Sequence, residues 1–216
     1  MKRVLLFCLL IPGLALAQNF VGTTGSLAGQ GSLQFASQRP PAFLGSILTR
    51  DAGPGQADPM VLRGLRDLVA EVEAGPAGYN AVVLSAVIKP PKRPTEMTLR
   101  DVFAWIDATP GQNHAIGRYQ FIPTTLDYLV RRTKTPLSAR FSPALQDRFA
   151  DILLHQAGAG EVSFGRISND LFLDQLAQVW AALPMRDGRS AYHGVGRNKA
   201  LMSRAEYRAR VAAILG

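Results

Sequence analysis

The 216-residue chain contains one cysteine and three histidines. A single cysteine cannot form an internal disulfide, and it excludes zinc and iron–sulfur sites that need several cysteines. The histidines, His114, His155 and His193, leave little material for a catalytic metal centre. We therefore expect neither a metal nor another cofactor. Because 47% of the residues are hydrophobic and 19% are charged, the composition is that of a globular protein rather than of a disordered chain.

Long hydrophobic runs are also missing, except at the N-terminus. Residues 1–17 begin with two basic residues, continue with an apolar stretch and end on an Ala-Leu-Ala cleavage signal before Gln18. This order is typical of a secretory signal peptide. A membrane anchor is the alternative, but the apolar stretch is shorter than the roughly 20 residues that a spanning helix needs. We therefore predict that residues 1–17 are removed on export and that the mature protein has no membrane span.

Basic residues outnumber acidic residues by 24 to 16, which gives a formal net charge of +8. Such a surplus favours an anionic partner: a nucleic acid, a membrane surface or an acidic polymer. Signal cleavage removes Cys8 and two basic residues, which lowers the net charge by two, to +6. The remaining Lys and Arg residues are scattered rather than arranged on one helix, which argues against nucleic-acid binding. For a secreted or periplasmic bacterial protein, we expect the cell wall as the partner.

The mature chain changes character at Asp58. Residues 18–57 are rich in Gly, Ser, Gln and Pro and have few regularly spaced apolar residues, so we interpret them as an irregular leader with a short helix at most over 42–49. Asp58 is predicted to cap a helix that has Pro59 at its first position. Residues 58–216 are therefore predicted to form one folded domain.

The periodicity of this domain is mostly helical. After the helix that begins at Pro59 and stops at Gly75-Pro76, further helices are predicted over 98–107, 123–132, 142–156, 171–183 and 204–215, with Asp170 as the cap of the helix over 171–183. The apolar run over 81–88 is predicted to be a small strand or hairpin. The fold class is therefore α+β, mainly α, with one small β element.

Glu73 stands at the predicted C-terminal end of the first helix. The negative end of the helix macrodipole disfavours an ionised carboxylate there, and burial beside Val69 and Val72 would act in the same direction. A carboxylic acid with a raised pKa is the group that protonates a glycosidic oxygen. Position alone favours the alternative that Glu73, like Glu71 two residues earlier, is a solvated residue at a helix end.

Two glycine-containing segments contain candidate binding residues. In the first, Gly117 allows close approach of the backbone, Arg118 and Gln120 offer hydrogen-bond donors, and Tyr119 offers an aromatic platform for a sugar. In the second, Tyr192 is a candidate hydrogen-bond partner of a catalytic carboxyl. Either segment alone is also compatible with an ordinary loop.

Five short motifs occur in a recognisable order. They are Glu73 at a helix end, Gly-Tyr-Asn at 78–80, Ala-Ile-Gly-Arg-Tyr-Gln at 115–120, Phe-Ser-Pro-x-x-Gln-Asp at 141–147 and Val-Trp-Ala-Ala-Leu-Pro at 179–184. This order resembles the phage lambda-type endolysins, the lysozyme-like lytic transglycosylases of glycoside hydrolase family 104. The resemblance covers about residues 62–213. One departure is Val72-Glu73-Ala74, where the family usually has Ser-Glu-Gly.

The resemblance implies a lysozyme-like fold with Glu73 as the single catalytic acid. In the resemblance, Tyr119 and Gln120 match residues of the substrate groove, and we predict that Gly117, Arg118 and Tyr192 bind substrate with them. The family cleaves the β-1,4 bond between N-acetylmuramic acid and N-acetylglucosamine without water and leaves a 1,6-anhydromuramoyl end. Two alternatives stay open: a hydrolytic muramidase of the same fold, and a non-catalytic peptidoglycan-binding protein.

Overall fold

The computed structural model describes residues 55–196 and 198–216. The predicted signal peptide, the leader up to residue 54 and the short helix predicted over 42–49 lie outside the described residues. No helix within the described part is long and apolar enough to cross a membrane.

The described residues are organised around seven α-helices. Two 3-10 segments, Gly75–Asn80 and Pro94–Glu96, lie between the first two of them. In chain order the α-helices are α1 (Pro59–Glu73), α2 (Leu99–Ala108), α3 (Pro123–Thr133), α4 (Pro143–Gln156), α5 (Ala159–Ser163), α6 (Asn169–Val179) and α7 (Arg204–Leu215).

The helix starts follow from capping side chains in the sequence. Asp58 accepts a hydrogen bond from the backbone N–H of Met60 at 2.7 Å, and Pro59 occupies the first position of α1. Thr98 and Asp101 form a reciprocal capping box at the start of α2. Each pair satisfies N–H groups that the helix itself leaves without a partner. The predicted starts of α1 and α4 are confirmed. α2 begins at Leu99, one residue after the start of the predicted range, because Thr98 is its N-cap.

The core forms where α1 packs against α4 and α7, and where α6 packs against α7. Leu65 and Leu68 on α1 are buried, as is Tyr207 on α7. Three phenylalanine rings, Phe121, Phe141 and Phe149, meet edge to face at centroid distances of 6.1 and 6.2 Å. Such contacts add to the hydrophobic stabilisation of the aromatic cluster. α1 is thus held on two sides, which fixes the position of its C-terminal residue, Glu73.

The apolar run over 81–88 is not a strand, and this prediction was wrong. Only Val82 pairs, in an isolated bridge with Ile116. The backbone then turns, with the N–H of Ala86 donating to the carbonyl of Val83 at 3.1 Å. The turn ends the pairing before a ladder can form. Within the described residues, β pairing consists of isolated bridges and no sheet. The mainly helical part of the predicted fold class is confirmed.

Two helix predictions near the C-terminus also need correction. α6 is capped by Ser168 instead of Asp170 and ends at Val179 instead of Leu183. It ends there because Trp180 takes an extended conformation and its indole bonds the main chain of Tyr119. The five-residue α5 was not predicted, since it is too short for a periodic pattern.

Residues just before Asp58 also contact the domain. Ala57, predicted to belong to the leader, is only 4% exposed and is part of the hydrophobic core. The backbone of Gly55 passes so close to Gly160 that a Cβ at position 160 would be 2.0 Å from the Gly55 carbonyl oxygen. Residues 55–57 therefore pack as part of the domain.

We predict that Thr98→Ala lowers the free energy of unfolding by about 1 kcal/mol, because α2 loses its N-cap. For a domain of this size the melting temperature should fall by roughly 2–4 °C. Thr98→Ser keeps the hydroxyl and should restore most of the loss. Thermal unfolding followed by circular dichroism measures the melting temperatures of both variants. Equal melting temperatures for Thr98→Ala and the parent would contradict a stabilising role of the capping box.

Candidate active site

Glu73 is the last residue of α1 and is partly buried. Its Oε1 accepts a hydrogen bond from the backbone N–H of Ala182 at 3.1 Å. Burial raises the pKa of Glu73 from about 4.5 to about 7, and the bond from Ala182 opposes the shift. Burial dominates because the charged form loses hydration that one peptide N–H cannot replace. The carboxyl is therefore divided between its acid and its carboxylate form near neutral pH.

The bond to Glu73 comes from the turn that follows α6. Trp180 is 3% exposed, and its indole N–H donates to the carbonyl of Tyr119 at 3.2 Å. Ala182 is also buried, and its carbonyl accepts from the N–H of Leu201 at 2.9 Å. The Trp-Ala-Ala-Leu-Pro motif is thus anchored on both sides, and the anchors hold the Ala182 N–H toward the carboxyl of Glu73.

The turn over 117–120 has a strained backbone. Gly117 has a φ of +80° and Gln120 a φ of +47°. The side-chain amide of Gln120 donates to the carbonyl of Gly117 at 2.9 Å, which closes the turn. Ile116 and Phe121, on either side of it, form an isolated antiparallel bridge. A non-glycine residue in the left-handed region marks a position where the surroundings fix the backbone.

Arg118 binds other side chains of the domain. Its guanidinium forms a 2.6 Å ion pair with Asp67 on α1 and lies over the ring of Tyr79, 4.9 Å from the centroid. The structure therefore joins Arg118 to the helix that contains Glu73. The sequence analysis did not identify Asp67 as its partner, because no spacing rule connects residues so far apart.

Tyr119 belongs to the core. It is 1% exposed, and its hydroxyl donates to Asp147 at 2.5 Å, beside the hydroxyl of Tyr79 at 2.9 Å from the same carboxylate. An aromatic platform for a sugar needs an exposed ring face, so the structure does not support that prediction for Tyr119. Its carbonyl, which accepts the bond from Trp180, connects the 117–120 turn to the turn that contacts Glu73.

Gln146 is a further residue of this region that the sequence analysis quoted in a motif but did not identify as important. It is fully buried, and its amide nitrogen donates to the carbonyls of Tyr79 and Phe141 at 3.2 and 3.0 Å. Its amide oxygen accepts from the N–H of Arg118 at 2.9 Å. One side chain therefore joins three loops. A Cβ at Gly117 would lie 2.5 Å from this oxygen, so the glycine is needed for close approach.

Tyr192 lies close enough to Glu73 for the charge of Glu73 to act on its hydroxyl. Its hydroxyl donates to the carbonyl of Gln178 at 2.7 Å. Burial raises the pKa of Tyr192, and the charge of Glu73 raises it further. Beside Tyr192 is an open cleft of about 470 Å³ lined by Gln178, Met185, Arg186, Asp187, Ser190 and Ala191. Glu73 is not among the lining residues.

The other acids of α1 and α4 differ from Glu73, because each is bound by a cation or by tyrosine hydroxyls. The pairs are Asp67–Arg118, Glu71–Arg210, Asp151–Arg66 and Asp147 with Tyr79 and Tyr119. Among the described residues, no carboxylate or cation contributes to the shifted pKa of Glu73. No cluster of His, Cys, Asp and Glu in the described part could hold a metal ion.

Comparison with known families matches residues 73–211 to the Endolysin family. This segment is more than half of the chain. It contains Glu73, the 117–120 turn, the Trp-Ala-Ala-Leu-Pro turn and Tyr192. The chain belongs to the Endolysin family. Comparison with curated proteins and with solved structures gave no match.

As an endolysin-family member, the protein is a peptidoglycan-degrading enzyme that acts on the cell wall. The structure joins three of the quoted motifs around α1: Glu73 contacts the 179–184 motif, which contacts the 115–120 motif. Of the predicted site residues, Glu73 and Tyr192 are close enough to influence each other's charge, whereas Arg118 and Tyr119 make internal contacts.

We predict that Glu73→Gln stabilises the folded endolysin-family protein at pH 8 but much less at pH 5. The folded-state pKa is about 7 and the ordinary value is 4.5, so folding favours the protonated form. Stability is fully present below about pH 4.5 and is lost as the pH rises to about 7, by up to about 3 kcal/mol. Glutamine stays neutral and avoids this loss, so the melting-temperature difference between variant and parent should grow from pH 5 to pH 8.

Glu71→Gln is the matched control, two residues earlier on the same helix. The side-chain bond from Arg210 lowers the pKa of Glu71, so its charged form is favoured by folding. Glu71→Gln should therefore give no stabilisation at pH 8. If Glu73→Gln gave the same melting-temperature difference at both pH values, the carboxyl of Glu73 would not be desolvated.

Proposed function

We propose that this protein is an exported lytic transglycosylase of glycoside hydrolase family 104 with a lysozyme-like fold. It cleaves the β-1,4 bond between N-acetylmuramic acid and N-acetylglucosamine and forms a 1,6-anhydromuramoyl end. Glu73 is the sole general acid and base. The observation that carries the proposal is the carboxyl of Glu73, partly buried, with a pKa of about 7 and a single peptide N–H bonded to it.

In the first step, protonated Glu73 donates its proton to the glycosidic oxygen. The bond between that oxygen and the anomeric carbon breaks, the N-acetylglucosamine side leaves as an alcohol, and positive charge develops on the muramoyl ring. In the second step, the O6 hydroxyl of the same N-acetylmuramic acid attacks the anomeric carbon. The Glu73 carboxylate takes the O6 proton, so the acid is regenerated and no water is consumed.

The two steps make opposite demands on one side chain. A group that first donates and then accepts a proton works best when its pKa is close to the working pH. Burial brings the pKa of Glu73 to that range, and the Ala182 N–H stabilises the carboxylate that exists between the steps. Glycosidases that activate water generally use a second carboxylate. No carboxylate among the described residues contributes to the pKa of Glu73, and the other acids of α1 and α4 are held in ion pairs or by tyrosine hydroxyls, which favours the one-carboxylate reaction.

The other predicted site residues have different proposed roles. Gln120 and Tyr192 are partly exposed and are proposed to contact the glycan strand. Gly117 is proposed to allow close approach of Gln146, and Arg118 is proposed to position the turn through Asp67. Tyr119 is proposed to position the Ala182 turn through its carbonyl bond to Trp180. Export to the periplasm after removal of residues 1–17 remains part of the proposal.

We predict that the protein releases muropeptides with 1,6-anhydromuramoyl ends from purified sacculi. Glu73→Gln should lower the rate by about 10²–10⁴, the usual contribution of a general acid or base. Glu71→Gln should retain activity within about twofold, because Glu71 is bound to Arg210 at the outer side of α1. Mass spectrometry of the products in water enriched in ¹⁸O measures the rate and the chemistry together.

Three outcomes of that experiment contradict parts of the proposal. Reducing ends that contain ¹⁸O would identify a hydrolytic muramidase. Full activity of Glu73→Gln would show that Glu73 is not the acid. Binding of sacculi by the parent protein without any product would identify a peptidoglycan-binding protein.

We also predict that kcat/KM falls about tenfold per pH unit above pH 7. The first step needs protonated Glu73, and the protonated fraction falls tenfold per unit above a pKa of about 7. Initial rates on solubilised glycan strands between pH 5 and pH 9 measure the profile. A rate that stays constant from pH 6 to pH 9 would contradict the assignment of Glu73 as the proton donor.

A further inference from the structure

A loop on the surface of the domain combines exposed apolar and basic side chains. Leu84 is 98% exposed, Val87 87% and Ile88 58%. Lys89, Lys92 and Arg93 follow and are also exposed. We name residues 84–93 the apolar–basic loop. No acidic residue occurs from position 81 to position 95. Three large aliphatic side chains are exposed within five residues of one loop, and such a concentration of exposed apolar surface is typical of an interaction site.

The apolar side chains are exposed although the loop backbone is held firmly. Gln112 bonds both backbone groups of Ile88, at 2.8 Å each, and the indole N–H of Trp105 donates to the same carbonyl at 3.0 Å. Asn113 donates to the hydroxyl of Ser85 at 2.9 Å. Ala86, in the middle of the patch, is buried. The loop is therefore anchored to the domain through the backbone of Ile88, the hydroxyl of Ser85 and the buried side chain of Ala86, while the large apolar side chains are in solvent.

The cations of the loop are available to an external anion. No salt bridge between described residues uses Lys89, Lys92 or Arg93. Lys89 does bond the carbonyl of Val83 at 2.9 Å, which keeps its charge close to the apolar residues. Lys92 helps to lower the pKa of Asp101, although the bonds from Thr98 are the main cause.

We propose that the apolar–basic loop docks the protein on an anionic phospholipid membrane. Leu84, Val87 and Ile88 would enter the interfacial region of the bilayer, and Lys89, Lys92 and Arg93 would contact the phosphate headgroups. Aliphatic insertion combined with basic residues is the chemistry of peripheral membrane binding. Because Leu84 is almost wholly clear of its neighbours, it suits a deformable lipid interface better than a preformed groove. Because hydrogen bonds already hold the loop backbone in place, docking does not require a further loss of conformational freedom in the loop.

The test uses the full chain, with the probe on the loop itself so that residues 1–17 do not dominate the result. In a Cys8→Ser background, Leu84→Cys is labelled with a polarity-sensitive fluorophore. Leu171→Cys, at another exposed apolar position on α6, is the matched control. Vesicles contain phosphatidylethanolamine with one quarter phosphatidylglycerol, or phosphatidylcholine alone.

We expect a blue shift of the probe at position 84, and none at position 171, with the anionic vesicles. Binding to phosphatidylcholine should be at least tenfold weaker, and 0.5 M NaCl should weaken binding to the anionic vesicles, since headgroup attraction is screened. The affinity of the Lys89→Gln/Lys92→Gln/Arg93→Gln variant for the anionic vesicles should also be at least tenfold lower than that of the parent. The doubly substituted Leu84→Ser/Val87→Ser protein should bind anionic vesicles more weakly but release muropeptides from sacculi at the parent rate.

Equal probe responses at positions 84 and 171, or binding that is unaffected by the three Gln substitutions, would overturn the proposal. A blue shift with isolated sacculi but not with vesicles would assign the loop to the cell wall. A loss of sacculus degradation in Leu84→Ser/Val87→Ser would assign the loop to the glycan groove. None of these results depends on whether Glu73 is the catalytic acid.

Discussion

The hydrogen bond from Ala182 to Glu73 lies where two otherwise separate parts of the chain meet. α1 packs between α4 and α7, and Glu73 is its last residue. The turn after α6, which Trp180 holds in place, contains Ala182. A carboxyl placed in such a junction loses water on several sides and gains only one donor. Its raised pKa follows from the packing, since burial contributes more than the hydrogen bond.

A network of polar side chains that joins α4, the 3-10 segment after Glu73 and the 117–120 turn has a supporting function. Asp147 accepts from Tyr79 and Tyr119, and Gln146 joins the 3-10 segment after Glu73 to the 117–120 turn. Hydrogen bonds among these side chains favour one arrangement of the loops around them. The residues that resemble the family's substrate groove are thus in part structural, because Arg118 and Tyr119 complete this network.

Sequence patterns predicted the helices well and the loops poorly. Asp58, Thr98 and Ser142 are local capping signals, so the starts of α1, α2 and α4 followed from residues within one turn. The end of α6 depends on the contact of Trp180 with Tyr119, 61 residues away, which no local rule contains. The run over 81–88 has the composition of a strand, but it lacks a neighbouring strand and ends in a turn. For the site, the helix end made Glu73 a candidate, whereas Ala182 was invisible because its backbone N–H, not its side chain, makes the contact.

The central claim is that packing gives Glu73 a pKa near 7. The most direct measurement is a ¹³C NMR titration of the protein labelled at the glutamate side-chain carboxyl, with Glu73→Gln used to assign the resonance. A midpoint near pH 7, with Glu71 titrating below its ordinary value, is the predicted result. A midpoint for Glu73 at the ordinary value of about 4.5 would contradict the account.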